Sequence, residues 1–271
     1  MLGKDLEVSP ICLGRTADPN TIPAAFDAGI NFFFLSGDLH WPIYLGLREG
    51  LSRLLQRTPS VRDQIVVAGV AYAGQRGFCL GAYAELIQAV PKLLRIDVAV
   101  AGGICAGDFA RRASDLAIAR QSFFGARATG ASFHDRPEAL AAINGSSVDV
   151  AFIRYHALHP GGRDDLLPHL DPKRKSKIFT FGSMMPTMYG PDQGPWPNFA
   201  LTDYYRFAMT PPEIDGLLCA PQSPSEVTAL CDTLARGRLD DEQERALMTH
   251  AQGRARLYVE SNIRRAMATT P

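Results

Sequence analysis

Apolar residues along this chain fall into two alternating patterns. Short, uninterrupted apolar runs recur at Ile30–Leu35, Gln64–Val70, Arg95–Ala101, Ala126–Gly130, Val148–Tyr155, Lys177–Phe181 and Ile214–Leu218. Between most of them lie Ala- and Leu-rich stretches with helical spacing, at Pro23–Ala28, Leu45–Leu55, Tyr83–Leu94, Asp108–Phe123, Pro137–Asn144 and Ser225–Ala235. A strand that is apolar on both faces must be covered on both faces, which is the condition of a parallel sheet built from βαβ units. The punctuation agrees. Pro23 falls in the first turn of a helix that ends before Gly29, Asp108 is placed to cap the helix that follows Ala106-Gly107, and Ser223-Pro224-Ser225-Glu226 reads as a capping box. Seven strands are counted this way, and an eighth is expected near Ile11–Leu13 or within 199–209. With no linker, repeat or low-complexity segment in 271 residues, the pattern predicts one (β/α)8 TIM barrel domain over 1–271; a doubly wound open sheet fits less well. The Pro- and Gly-rich stretch Pro186–Pro197 is expected to form a long functional loop after a strand.

Charge and cysteine usage narrow the function classes. Lys and Arg number 28 and Asp and Glu 28, so no global positive field exists to hold nucleic acid or an anionic membrane. The five cysteines are scattered, with no CxxC pair, which suits a reducing, cytoplasmic compartment better than a disulfide framework. The opening MLGKDLEVSP lacks a signal-peptide core, and no apolar run approaches the length of a membrane span. GxGxxG after the first strand, GxxxxGK[ST], HExxH and GxSxG are all absent. Motifs therefore give architecture and little chemistry.

Several segments, taken in order, resemble the aldo-keto reductases. VSPICLG (Val8–Gly14) resembles that family's first hairpin, and DAGINFF (Asp27–Phe33) its segment ending in the first barrel strand. RIDVAV (Arg95–Val100) is similar to the fourth strand, TGAS (Thr129–Ser132) to the fifth, Ser147–Tyr155 to the sixth, Ile178–Ser183 to the seventh, and Ile214–Leu234 to the last strand and helix. The resemblance is collinear over nearly the whole chain and implies a (β/α)8 barrel that reduces carbonyls with NADP(H) through an Asp, Tyr, Lys and His tetrad. At the corresponding positions this chain carries Phe34, Leu39, Val70 and Gly102. For the nicotinamide pocket the resemblance implies Ser132 as a carboxamide partner and Phe181 as a stacking ring, while Phe133 and Phe152 stand at the Asn and Gln positions. The helix beginning after Ser223 keeps free N–H groups for an anion but lacks the family's basic clamp.

Barrel sites lie at the C-terminal ends of the strands. Polar residues concentrated there are Asp38 and His40, then Ser132 and His134, then Arg154 and His156. Period-two alternation puts Phe152, Arg154 and His156 on one face, and Ser132 and His134 likewise. If Ser132 and Phe152 face inward, His134, Arg154 and His156 point into the mouth, where imidazoles with an arginine suit proton transfer on an anionic substrate. Each has a plainer reading: a hydrogen-bonded structural histidine, or Arg154 paired with Asp38. Asp97 and Asp149 are expected to stabilise the opposite, N-terminal face. Cys105 is expected to be small packing, three histidines without carboxylate–His spacing do not make a metal site, and Trp41, Tyr189 and Trp196 either line a cleft or pin loops.

Three functions follow. The first is a cofactor-independent enzyme performing elimination, isomerisation, cyclisation or hydrolysis on a small anion, with His40 or His134 as acid or base, Arg154 as clamp and His156 as partner. The second is an NADP(H)-dependent oxidoreductase with His40 as a relocated proton donor and Ser132, Phe181 and Ser223 at the cofactor. The third is a non-catalytic binding or regulatory barrel.

Overall fold

In the computed structural model, which describes residues 1–3, 5–57, 60–121, 124–189 and 199–269, eight parallel strands close into a barrel in sequence order. They are β1 (Ile11–Leu13), β2 (Phe32–Ser36), β3 (Val66–Ala71), β4 (Val98–Ile104), β5 (Ala128–Phe133), β6 (Val150–Arg154), β7 (Lys177–Phe181) and β8 (Gly216–Cys219). β1 pairs with β2 on one side and with β8 on the other, which closes the sheet. The expected (β/α)8 barrel is therefore observed. Its eighth strand is Ile11–Leu13, so the VSPICLG segment ends in a barrel strand rather than a hairpin, and GINFF forms the second strand, not the first.

Most strands start two or three residues later than their apolar runs, because the first residues of each run bury themselves in the approach to the barrel. The helix expected at Tyr83–Leu94 runs instead over Arg76–Ala89; Pro91 lacks the N–H and the freedom to continue it. Ser223 does cap the Pro224–Ala235 helix, accepting from the Glu226 amide. Asp108 does not cap the Phe109–Gln121 helix; its carboxylate turns back to the Cys105 amide and to Arg111. The 199–209 region holds a helix, Asp203–Met209, and the chain ends in a 29-residue helix, Asp241–Thr269. That last helix lies on the Met185–Tyr189 turn, with Arg254 donating to the Pro186 carbonyl and Tyr258 meeting Tyr189. No helix among the described residues is long and apolar enough to cross a membrane.

Phenylalanines fill the barrel interior. Phe32 meets Phe152 and Phe179 at 6.3 and 5.4 Å between ring centroids, and Phe34 meets Phe152 edge-on at 5.0 Å. Below this aromatic layer the strand starts are tied by a repeated device. Asn31, Asp97, Asp149 and Asp215, just before the even strands, each accept a backbone N–H from the preceding odd-strand segment: Ser9, Val67, Thr129 and Ile178, at 2.8–2.9 Å. Asp97 is fully buried and also takes Arg62 at 2.8 Å and Arg95 at 3.1 Å. Asp97 and Asp149 thus sit where the sequence placed them, as stability elements of the N-terminal face.

Candidate functional site

The C-terminal ends of the strands carry a different chemistry. Arg154, the last residue of β6, is half-buried, and its Nε is enclosed without a hydrogen-bond partner. No acidic group among the described residues pairs with it; the alternative partner, Asp38, is engaged elsewhere. Around Arg154 stand His134 from the end of β5 and His156 and His159 from the turn after β6. His134 is exposed and meets the Phe181 ring edge-on at 5.7 Å. His156 is 4% exposed, and its Nδ1 has no partner. His159 lies 5.9 Å from His156, ring to ring, and takes Arg136 at its Nε2.

Electrostatics hold these imidazoles neutral. Burial, then the charge of Arg154, then His159 push the pKa of His156 down to about 4. Partial enclosure of the otherwise exposed ring, then Arg154, lower His134 as well, and burial, Arg136 and Arg154 lower His159. The sequence-predicted trio His134, Arg154 and His156 is thus brought together, with one permanent cation among uncharged rings. Leaving a buried polar group unpaired costs about 1–3 kcal/mol, so such an arrangement invites a ligand.

Asp38 and His40 belong to a second group, organised around a residue that motif reading passes over. Tyr72 follows β3 directly. Its amide N–H donates to the Asp38 carboxylate at 2.7 Å, and Arg112 donates to its carbonyl and to those of Ala71 and Gly102. Its ring leans over β4, where a Cβ on Gly102 would come within 2.8 Å of it. The Tyr72 hydroxyl reaches the hydroxyls of Ser36 and Ser132, and burial outweighs those hydrogen bonds to raise its pKa. His40 packs against the same ring at 4.3 Å, with its Nδ1 enclosed and unpartnered. Asp38, held at φ +52, therefore positions Tyr72 rather than facing the histidine trio. The available signal in the sequence was the pair Gly102-Gly103, flat backbone opposite a tyrosine one strand away.

A cavity of about 460 Å³ opens beside the trio between β7, β8 and β1, lined among others by Gly14, Tyr44, Phe181, Ser183, Tyr205 and Leu218. Of the residues expected to hold a nicotinamide cofactor, Phe181 faces this cavity. Ser132 spends its hydroxyl on the Gly103 amide at 2.8 Å and on Tyr72. Ser223 caps its helix and bonds Ser225, and the Glu226 carboxylate takes the Gln222 amide at that helix's entrance. Arg15 and Glu226 both line that end of the cavity.

The remaining candidates serve as anchors. Trp41 lies under the Arg48 guanidinium at 3.8 Å, and Tyr189 packs on Tyr258; Trp196 and most of the 186–197 stretch lie outside the described residues. Cys105, expected as packing, is exposed. It sits in the Gly-flanked turn above β4, its thiol toward the Gly103 carbonyl at 3.7 Å.

Among solved structures, the chain overlays on an aldo-keto reductase from Bacillus halodurans in its holo form with a TM-score of 0.69 at 15% identity, covering 94% of this chain and 95% of that one. The apo form of the same protein gives 0.67 at the same identity and coverage. The fold is that of the aldo-keto reductases. No family model matches the sequence, and no curated protein matches it. At 15% identity the likeness is one of architecture, and the chemistry rests on the residues themselves. In this aldo-keto-reductase-like barrel Phe34 and Val70 are buried and apolar, and the Tyr72 ring fills the space above Gly102.

Proposed function

We propose that the protein is an enzyme that binds a small anionic molecule at the barrel mouth and moves protons on it with histidines. The observation that carries this reading is Arg154, a permanent cation at the strand ends with no acidic partner among the described residues, set among imidazoles that are neutral near pH 7. Arg154 would anchor the anion. His134, open to solvent, would exchange protons with substrate and water, and His156 would back it from the buried side. Tyr72, fixed through Asp38 and flanked by His40, offers a neutral hydroxyl donor at the floor of the mouth. In this reading the four positions of the reductase tetrad are vacated, and the Tyr72 hydroxyl, raised in pKa by burial, stays protonated as a donor. Elimination, isomerisation, cyclisation and hydrolysis all fit such a donor and acceptor set. The five free cysteines fit a cytoplasmic setting, and the partner is a small molecule rather than nucleic acid or a membrane.

A second reading, an NADP(H)-dependent oxidoreductase, is favoured by the cavity with Phe181 in its wall and by the reductase that shares the fold. It is disfavoured by the occupied hydroxyls of Ser132 and Ser223 and by Glu226 at the helix entrance. Titration with NADPH, followed by nicotinamide fluorescence, separates the two. No binding at millimolar concentration is expected; micromolar binding would overturn the cofactor-free reading. Thermal unfolding of the wild type and of Arg154→Gln against a panel of organic anions then tests the anchor, and equal stabilisation of both would remove Arg154 from the site.

A further inference from the structure

The seam between β6 and β7 contains three buried polar atoms without a hydrogen-bond partner: Arg154 Nε, His156 Nδ1 and Ser183 Oγ. Ser183 and His156 are 2% and 4% exposed. Gly182, at φ +85, joins them: a Cβ there would come within 3.1 Å of the His156 ring. Phe181, Gly182 and Ser183 line the 460 Å³ cavity, and Phe181 meets His134 while Gly182 faces the His156 ring, so this end of the cavity lies against the histidine cluster. A serine hydroxyl turns about a single bond, so Ser183 can turn its donor to a group seated there.

The described groups that act on His156 are neutral or positive. Arg154 approaches from β6, His159 from the following turn with Arg136 behind it, and the Gly182–Ser183 backbone from β7. The Asp165 carboxylate, which acts on His159, is held by Arg136. Glu226 stands at the α-helical end of the cavity and accepts the Gln222 amide. A guanidinium fork, a hydroxyl and an imidazole together make a donor set for a carboxylate or phosphate group, and the apolar remainder of the cavity suits the body that carries such a group.

We propose that Arg154, Ser183 and His156 form a subsite for the charged head of an amphiphilic anion, a carboxylate or a phosphate, whose apolar body lies in the cavity toward Tyr44 and Leu218, and that His156 takes a proton from solvent when the head is seated. This rests on the reading of the mouth as an anion site and adds the missing partners, the place of the ligand body and the coupling. No acidic group among the described residues supplies a counter-charge for an imidazolium at His156, so the ligand supplies it. The acid is armed only in the complex.

The six histidines allow a direct test by ring NMR. Each ring is titrated with pH in the absence of added anion, in sulfate, which keeps its two charges across the range, and in acetate. The His156 midpoint is expected to rise from about 4 in at least one anion, while exposed His169 stays fixed as a reference. A stronger response to sulfate identifies a phosphate-type head, and a stronger response to acetate a carboxylate. Arg154→Gln should abolish the response, Arg154→Lys should keep part of it, and Ser183→Ala, which removes only an unpartnered hydroxyl, should weaken anion affinity about 10-fold. If His134 responds while His156 is unmoved and Ser183→Ala is silent, the anion sits on the open edge of Arg154 and the subsite is wrong, though the mouth remains an anion site. If no histidine responds, both fail.

Discussion

At the N-terminal end of the barrel Asp97 is fully buried and accepts from the Val67 amide, Arg62 and Arg95. At the C-terminal end Arg154 is half-buried with no acidic partner among the described residues, and His156 and Ser183, also at the strand ends, have unpartnered atoms. Both ends bring charge near the apolar interior, but one end neutralises it from within the chain and the other leaves it open. A closed barrel permits this division because its aromatic core, from Phe32 to Phe34 and across to Phe152 and Phe179, separates the two. The N-terminal end holds the strands in register, and the C-terminal end can carry the cost of unmet polar groups.

The comparison is broken most directly at Asp97. Asp97→Ala leaves Arg62, itself buried, without its acid and the Val67 amide without its acceptor. We expect a loss of about 3–5 kcal/mol in urea unfolding. A loss below about 1 kcal/mol would show that the paired end contributes little and that the contrast is only one of appearance.

The next effect belongs to the open end and depends on pH. His156 is pushed down to about 4 by burial first, then by Arg154 and His159, whereas an unfolded histidine titrates near ~6.5. As pH falls, the unfolded chain therefore takes the proton first. The stability tied to a neutral His156 is complete above the unfolded value and is lost as pH drops toward 4, by about 3 kcal/mol at most. Unfolding curves collected from neutral pH down to that range should fall more steeply for the wild type than for His156→Gln. Parallel curves would mean that the ring is not held neutral by its surroundings.

Gly102→Ala probes how firmly the Tyr72 group is fixed. The new methyl meets the ring at 2.8 Å, and overpacking of this kind costs about 1–3 kcal/mol. Tyr72→Ala in the same chain should recover most of that loss in a double-mutant cycle. If Gly102→Ala is neutral alone, Tyr72 is free to move and is not a positioned donor.

The architecture was legible because seven apolar runs alternate with helix signals along the chain, so that an error at one unit, such as the cap expected at Asp108, does not alter the fold. The trio His134, Arg154 and His156 was legible for a related reason: period-two alternation from inward-facing Ser132 and Phe152 fixes which side chains enter the mouth. Tyr72 was not, since its role comes from leaning across β4 to Ser132, a contact between strands that no local period encodes. Asn31 and Asp215 were missed as partners of Asp97 and Asp149 because a residue before a strand shows its acceptor role only when its neighbour's amide is in place. The terminal helix Asp241–Thr269 was passed over because it packs on the Met185–Tyr189 turn and the Asp203–Met209 helix rather than on a barrel strand.

The smallest expected change in stability falls at Arg154. Methionine keeps the length of the side chain and removes a charge that no described acid neutralises. Arg154→Met should therefore leave stability unchanged or raise it by about 1 kcal/mol or less. It should also relieve the repulsion on His134, His156 and His159, raising their titration midpoints without any ligand. Anion binding should vanish in the same variant. A clear loss of stability would place Arg154 among the structural arginines and make the two ends of the barrel alike. A gain together with lost binding means the mouth holds its cation at a cost to the fold, for a ligand that supplies the missing charge.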